Sequence, residues 1–142
     1  MKLNIITIGK PKLDYAKLAW NEYLNRLNKY HNVHVTNIPD KQNNAKTILE
    51  KAGNGYRVAL VIDSNELNSL ELAEFLDTRA QSGKPVNFLI GGPEGLPKEV
   101  INAADFSLSL SKLTLPHDMA MIILVEALYR ASSIASGHPY HK

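Results

Sequence analysis

The feature that most constrains this chain is the return of short, nearly continuous apolar runs, each followed by a helical pattern. Residues 3–9, 57–63 and 86–91 are almost unbroken in Ile, Val, Leu or Phe. Strands buried on both faces of a parallel sheet read this way, whereas a one-sided antiparallel sheet alternates apolar with polar. Residues 33–38 and 106–111 supply two further strands. Between them, Tyr15, Leu18, Leu24 and Leu27 recur at helical spacing over residues 14–30, and residues 46–52 give a shorter helix before Gly53-Asn54-Gly55. Asn68 caps a helix over residues 68–82, with Glu71 three positions on and Gly83 as its stop. Pro97 opens a short helix, and residues 118–136 form the longest, ended by Gly137. The expected fold is an α/β domain spanning residues 1–142, with a mostly parallel sheet of five to six strands and helices on both faces. The polar residues 40–44 read as a mobile loop within it.

Composition narrows the chemistry. With no cysteine there are no disulfides, thiolate nucleophiles or cysteine-ligated metals, which is compatible with a reducing cytosol. Residues 1–9 are too short for a signal sequence and no apolar run reaches roughly 18 residues, so a soluble cytoplasmic protein with no membrane partner is expected. The formal charge of +2 permits an anionic partner but lacks the basic stripe of a DNA-binding module, so no DNA partner is expected.

In an open α/β sheet, ligands bind where the strands end. The third strand ends at Ile62 and Asp63, the fourth at Gly91-Gly92-Pro93-Glu94-Gly95, and the fifth runs into the loop of Ser111, Lys112, Leu113, Thr114, Leu115 and Pro116. Glycines after a buried strand let backbone approach a flat ligand, though an ordinary tight turn uses the same residues. The loop matches neither the dinucleotide fingerprint nor the phosphate-binding loop, so a nucleoside without a phosphate chain fits it better. The residues from Ser111 to Pro116 offer backbone amides and carbonyls among small apolar side chains, as an adenine pocket requires.

The last five residues, His138, Pro139, Tyr140, His141 and Lys142, concentrate two imidazoles, a phenol and a cation. Aromatic stacking beside cationic donors is what recognition of an unpaired RNA base needs. His138 and His141 without a third ligand nearby do not make a metal site. Residues 119–125 are apolar on every side of their helix, and in so small a domain a second subunit supplies the cover, so a homodimer is expected.

Four segments together carry a resemblance: Phe88-Leu89-Ile90-Gly91-Gly92-Pro93-Glu94-Gly95-Leu96, Leu108-Ser109-Leu110-Ser111-Lys112-Leu113-Thr114-Leu115-Pro116-His117, Glu126-Ala127-Leu128-Tyr129-Arg130-Ala131, and His138-Pro139-Tyr140-His141-Lys142. They closely resemble the ribosomal large-subunit RNA methyltransferase H family, the smallest members of the SPOUT class, and the likeness runs the length of the chain. The resemblance implies a C-terminal trefoil knot, a homodimer, and N3 methylation of a pseudouridine in a stem-loop of 23S ribosomal RNA within the assembled ribosome. It implies S-adenosyl-L-methionine as methyl donor, held by Ile62, Gly92, Ser111, Lys112, Leu113, Thr114, Leu115 and Pro116. Asp63, His117, Tyr129, Arg130, His138, Tyr140 and His141 fall at motif positions near a site composed by two subunits, and Lys142 stands where the family commonly has arginine.

Methyl transfer from a sulfonium to nitrogen is an in-line displacement, so the catalyst mainly positions its reactants and needs neither metal nor covalent intermediate. The acceptor nitrogen must lose a proton, for which His138 or His141 is the candidate base, with Tyr140 and Arg130 beside them. Arg130 and Lys142 are read as phosphate holders. Two other readings use fewer of these residues. A nucleotide-binding module leaves the tail idle, and a plain RNA-binding factor leaves the glycine loop idle.

Overall fold

A computed structural model describes residues 1–141, and Lys142 lies outside the described residues. The elements follow in the order β1 (Lys2–Ile8), α1 (Asp14–Leu27), β2 (Asn32–Ile38), a 3₁₀ turn (Asp40–Gln42), α2 (Ala45–Ala52), β3 (Tyr56–Glu66), α3 (Ser69–Gln81), β4 (Val86–Ile90), α4 (Lys98–Asn102), β5 (Phe106–Ser109) and α5 (His117–Ala135). The five strands form one sheet in the order β2-β1-β4-β3-β5, and every pairing in it is parallel.

The apolar runs divide their side chains between the two faces of the sheet. Leu3 and Ile5 of β1, with Val86, Phe88 and Ile90 of β4, pack with Trp20 and Leu27 of α1, Leu72 and Leu76 of α3, and Met121, Leu124 and Leu128 of α5. On the other face Ile6 and Ile8 of β1 and Leu89 of β4 meet Ile48 and Ala52 of α2 and Val100 of α4. Period-2 alternation therefore serves two cores at once, which is why these strands look unbroken in sequence. Burying each large aliphatic or aromatic side chain contributes about 1.5–3 kcal/mol, and Phe88, Leu3 and Ile5 are wholly buried.

The helix ends follow local chemistry. At α3, Asn68 Oδ1 accepts the backbone N–H of Glu71 at 2.8 Å while Glu71 Oε1 accepts that of Asn68 at 2.8 Å, a reciprocal cap. Of residues 40–44, expected as a mobile loop, Asp40–Gln42 form the 3₁₀ turn, and Asn44 caps α2 by accepting the Thr47 N–H at 2.8 Å.

The largest departure from the expected outline is β3. Its apolar pattern stops at residue 62, but the strand continues to Glu66 after a bulge: Leu60 pairs with Leu108, and Asn65 rejoins that same residue. The residues between are thrown out of the ladder, and Asp63 sits in the left-handed region at φ 58.

Candidate functional site

All five parallel strands end at the same edge, and there the sheet opens into a cleft of about 500 Å³. One wall is the β3 bulge, from Leu60 to Ile62. A second is the glycine loop after β4, and the third is the loop between β5 and α5, with His117 and Ala120 closing the base. A cleft of this size and apolar lining holds a nucleoside-sized ligand.

Two glycines shape the second wall differently. A Cβ on Gly91 would collide with the backbone of Gly95 and Leu96, so its missing side chain serves the loop's own crossing. A Cβ on Gly92 would press on the Ile8 side chain, 3.2 Å from Cγ2 and 3.8 Å from Cβ. The turn closes with the Gly95 N–H donating to the Gly92 carbonyl at 2.9 Å. The third wall is held by Ser111, whose carbonyl accepts from Ser109 Oγ at 3.0 Å and whose Oγ accepts from the Leu113 N–H at 2.9 Å. At the mouth Ile62 and Leu113 are 58% and 75% exposed, large apolar groups that nothing among the described residues covers.

Of the residues expected to hold a methyl donor, Ile62, Gly92, Ser111, Leu113, Thr114, Leu115 and Pro116 all line this cleft. Lys112 does not. Its side chain turns outward, 85% exposed, with Nζ 3.9 Å from Glu66 Oε1, so only its backbone stays with the loop. Leu60, Ile90 and Leu108 near strand ends, and Ala120 in α5, join the lining without having been singled out, because apolar residues there read as core.

His117 faces the cleft from the first turn of α5. Its Nδ1 is 3.7 Å from Asp118 Oδ1, and its buried Nε2 has no protein partner among the described residues. Asp118 is buried, and its Oδ2 accepts the backbone N–H groups of Lys12 and Leu13 at 2.9 and 2.8 Å. Burial pushes this carboxyl upward, but the N–H groups of Leu13 and Lys12, with His117 alongside, outweigh it and hold the carboxyl below its ordinary range.

The C-terminal residues gather elsewhere. Tyr140 lies edge-on to Tyr129, centroids 4.6 Å apart, and its hydroxyl donates to Glu126 Oε1 at 3.3 Å with Tyr23 Oη 3.4 Å away. Arg130 binds Glu126 through Nε at 2.9 Å and a terminal nitrogen at 2.7 Å, lies 4.8 Å from the Tyr140 ring centroid, and reaches His141 Nδ1 at 3.2 Å. His138 is exposed, and its Nδ1 accepts the Tyr140 N–H at 3.3 Å. Burial, the Tyr23 hydroxyl and the Glu126 charge together raise the Tyr140 phenol, so it remains protonated and acts as a donor. Arg130, His138, Tyr140 and His141 thus form one cluster, organised by Glu126, whose (i, i+4) relation to Arg130 is the sequence signal for it.

The cleft and this cluster lie at opposite ends of α5, and that helix also leaves a face uncovered. Met119, Ile122, Ile123 and Ala127 are only half-buried, although their sequence is apolar. Among the described residues no group of three His, Cys, Asp or Glu side chains is placed to hold a metal, and no helix is long and apolar enough to cross a membrane.

An all-parallel sheet with glycine and leucine-proline loops walling a cleft at its strand ends describes a small α/β domain with a ligand site at its strand ends. The chain belongs to the SPOUT methyltransferases: the model of the family described as "Predicted SPOUT methyltransferase" matches residues 1–141. It is similar to curated proteins called ribosomal RNA large subunit methyltransferase H. It is 43% identical to that of Deinococcus radiodurans, over 100% of this chain and 99% of the relative, and 39% identical to that of Bacillus cytotoxicus, over the whole of both. In fold it resembles a probable methylase family protein from Haemophilus influenzae (TM-score 0.61, 11% identity, 99% of this chain, 70% of that one). It also resembles a tRNA (m1G37) methyltransferase from Aquifex aeolicus (TM-score 0.59, 14% identity, 99% of this chain, 73% of that one). The chain is a methyltransferase.

Proposed function

We propose that this methyltransferase moves a methyl group from S-adenosyl-L-methionine to N3 of a pseudouridine in a stem-loop of 23S rRNA, within the assembled ribosome. It acts as a cytoplasmic homodimer, each protomer a single domain with the C-terminal trefoil knot of its class. The names of its full-length relatives support ribosomal RNA as substrate. The observation that carries the reading is the separation of two half-sites along α5: an apolar cleft at the helix start, and an aromatic and cationic cluster at its end. A reaction that needs both draws them from two chains.

The residues of the cleft fit the donor. Its apolar walls suit an adenosine and a thioether chain, and its loop backbone suits the edge of a base. When bound there, the donor supplies an electrophilic methyl group on a sulfonium sulfur. Gly92, Ser111, Leu113, Thr114, Leu115 and Pro116 hold and orient it, with the backbone of Lys112 in the same loop, and Ile62 and Leu113 exclude water at the mouth. Across the dimer interface Tyr140 and Arg130 hold the target nucleotide by stacking and by charge. His138 or His141 would take the proton of the acceptor nitrogen, and the donor would supply that nitrogen with a methyl group from its sulfonium sulfur, which would become a neutral thioether. Combining anion and sulfonium removes charge, so a dry site favours the step.

Ribosomes lacking the modification, incubated with donor labelled in its methyl group, test this directly. The label is expected in one nucleotide of 23S rRNA, identified by mass spectrometry as an N3-methylated pseudouridine. Label in another RNA, or none, contradicts it.

A further inference from the structure

Beside the donor cleft, at the ends of β1 and β2, lies a second groove. Lys10, Lys12 and Lys17 line it with Gly9, Asn37 and Asp40. The three lysines are exposed, and among the described residues none has its ammonium within 4.0 Å of a carboxylate. Three cations therefore face one acid, Asp40.

The loop that carries Lys10 and Lys12 is held far more firmly than a solvent loop needs to be. The Gly9 carbonyl accepts from Thr7 Oγ1 at 2.6 Å and from Asn37 Nδ2 at 3.2 Å, and the Gly9 N–H donates to the Ile38 carbonyl at 2.7 Å. At its other end the N–H groups of Lys12 and Leu13 are spent on buried Asp118. Thr7 and Asp118 are polar groups taken out of water to fix a segment whose own lysines remain outside. The same anchor joins the groove to the donor cleft: Asp118 follows His117, and His117 Cε1 stands 3.7 Å from where a Gly9 Cβ would lie.

We propose that this groove binds the sugar-phosphate backbone of the RNA that presents the target base, with Lys10, Lys12 and Lys17 as its phosphate contacts. The proposal rests on the function given above and adds a surface that the cleft loops and the tail do not include. Lysines contact phosphate as point charges without reading sequence. The groove therefore sets register and affinity, while the cleft and tail select the base.

The test compares the wild type with Lys10→Ala/Lys12→Ala/Lys17→Ala and with the corresponding triple arginine variant. Donor binding is followed by calorimetry, methyl transfer by KM and kcat on assembled ribosomes, and binding to protein-free 23S rRNA by its dependence on salt. The alanine variant should bind donor as the wild type does. Its KM should rise tenfold or more with kcat within about twofold, and its log–log salt slope should flatten by about 2–3, near 0.7–0.9 for each lost contact. The arginine variant should restore both. A wild-type KM and salt slope in the alanine variant would overturn the proposal. So would a raised KM with unchanged binding to protein-free RNA, which would assign the groove to an acidic ribosomal protein. Failure of the underlying function appears separately, in the wild type, as donor bound but no label on rRNA; the salt slope on protein-free RNA still decides the groove.

Discussion

His117 and Arg130 stand at opposite ends of helix α5, roughly 20 Å apart along its axis at about 1.5 Å per residue. The first closes the donor cleft and the second anchors the C-terminal cluster. A methyl group is passed over about 3 Å. On the proposed reading, cleft and cluster therefore come from two chains, and the half-buried apolar face of α5 lies between the two ends of the helix.

Glu126 holds the cluster together, accepting from Arg130 and from the Tyr140 hydroxyl. Glu126→Ala leaves both donors without their acceptor and should cost about 1–2 kcal/mol of stability by thermal melting. Methyl transfer should drop at least tenfold while calorimetric donor binding stays at the wild-type value. An equal loss of both would mean that Glu126 supports the fold and not the tail.

Asp118 ties the Lys12–Leu13 backbone to the start of α5, and its carboxyl is held below the ordinary value of 3.8. A depressed carboxyl stabilises the fold above its unfolded value and loses that contribution as pH falls through the lower folded one. Its share of stability is therefore complete above about pH 5 and declines through the acid range below pH 4. Asp118→Ala should cost about 1–3 kcal/mol at neutral pH, because it strands two backbone donors. Urea melts against pH should show a shallower acid decline in Asp118→Asn than in the wild type. An identical acid decline would show that other carboxylates account for it.

The glycine loop separates folding from binding. Gly91→Ala drives a Cβ into the Gly95–Leu96 backbone and should lower the melting temperature sharply. Gly92→Val should keep a native circular dichroism spectrum, since Ile8 is its only near neighbour, yet abolish donor binding by filling the cleft. Wild-type affinity in Gly92→Val would place the donor elsewhere.

The legibility of these features in the sequence differs for physical reasons. β1 and β4 are evident because both of their faces are buried, and α3 because Asn68 and Glu71 cap it locally. The end of β3 is not, because its apolar run stops at Ile62 and Asp63, and only pairing with Leu108 and Ser109 on β5 draws Asn65 and Glu66 back into the sheet. The strand order depends on such long-range pairings and leaves no local mark. In the cleft, the glycines and prolines are visible as backbone chemistry, whereas Leu60, Ile90 and Ala120 resemble any core residue. Tyr23 joins the tail from α1, a contact across 117 positions of sequence that no local motif signals.

Complementation between two defective chains measures the two-chain site most directly. One chain carries Gly92→Val and the other is truncated after Gly137, and each alone should transfer no methyl groups to ribosomes. In the mixed dimer one site combines both lesions, while the other takes its donor loop from the truncated chain and its tail from the Gly92→Val chain, and is intact. About half of the wild-type activity per dimer should return. No recovery in a mixed dimer verified by mass, or a wild-type protein that light scattering shows to be a monomer while active, would contradict a site built from two subunits.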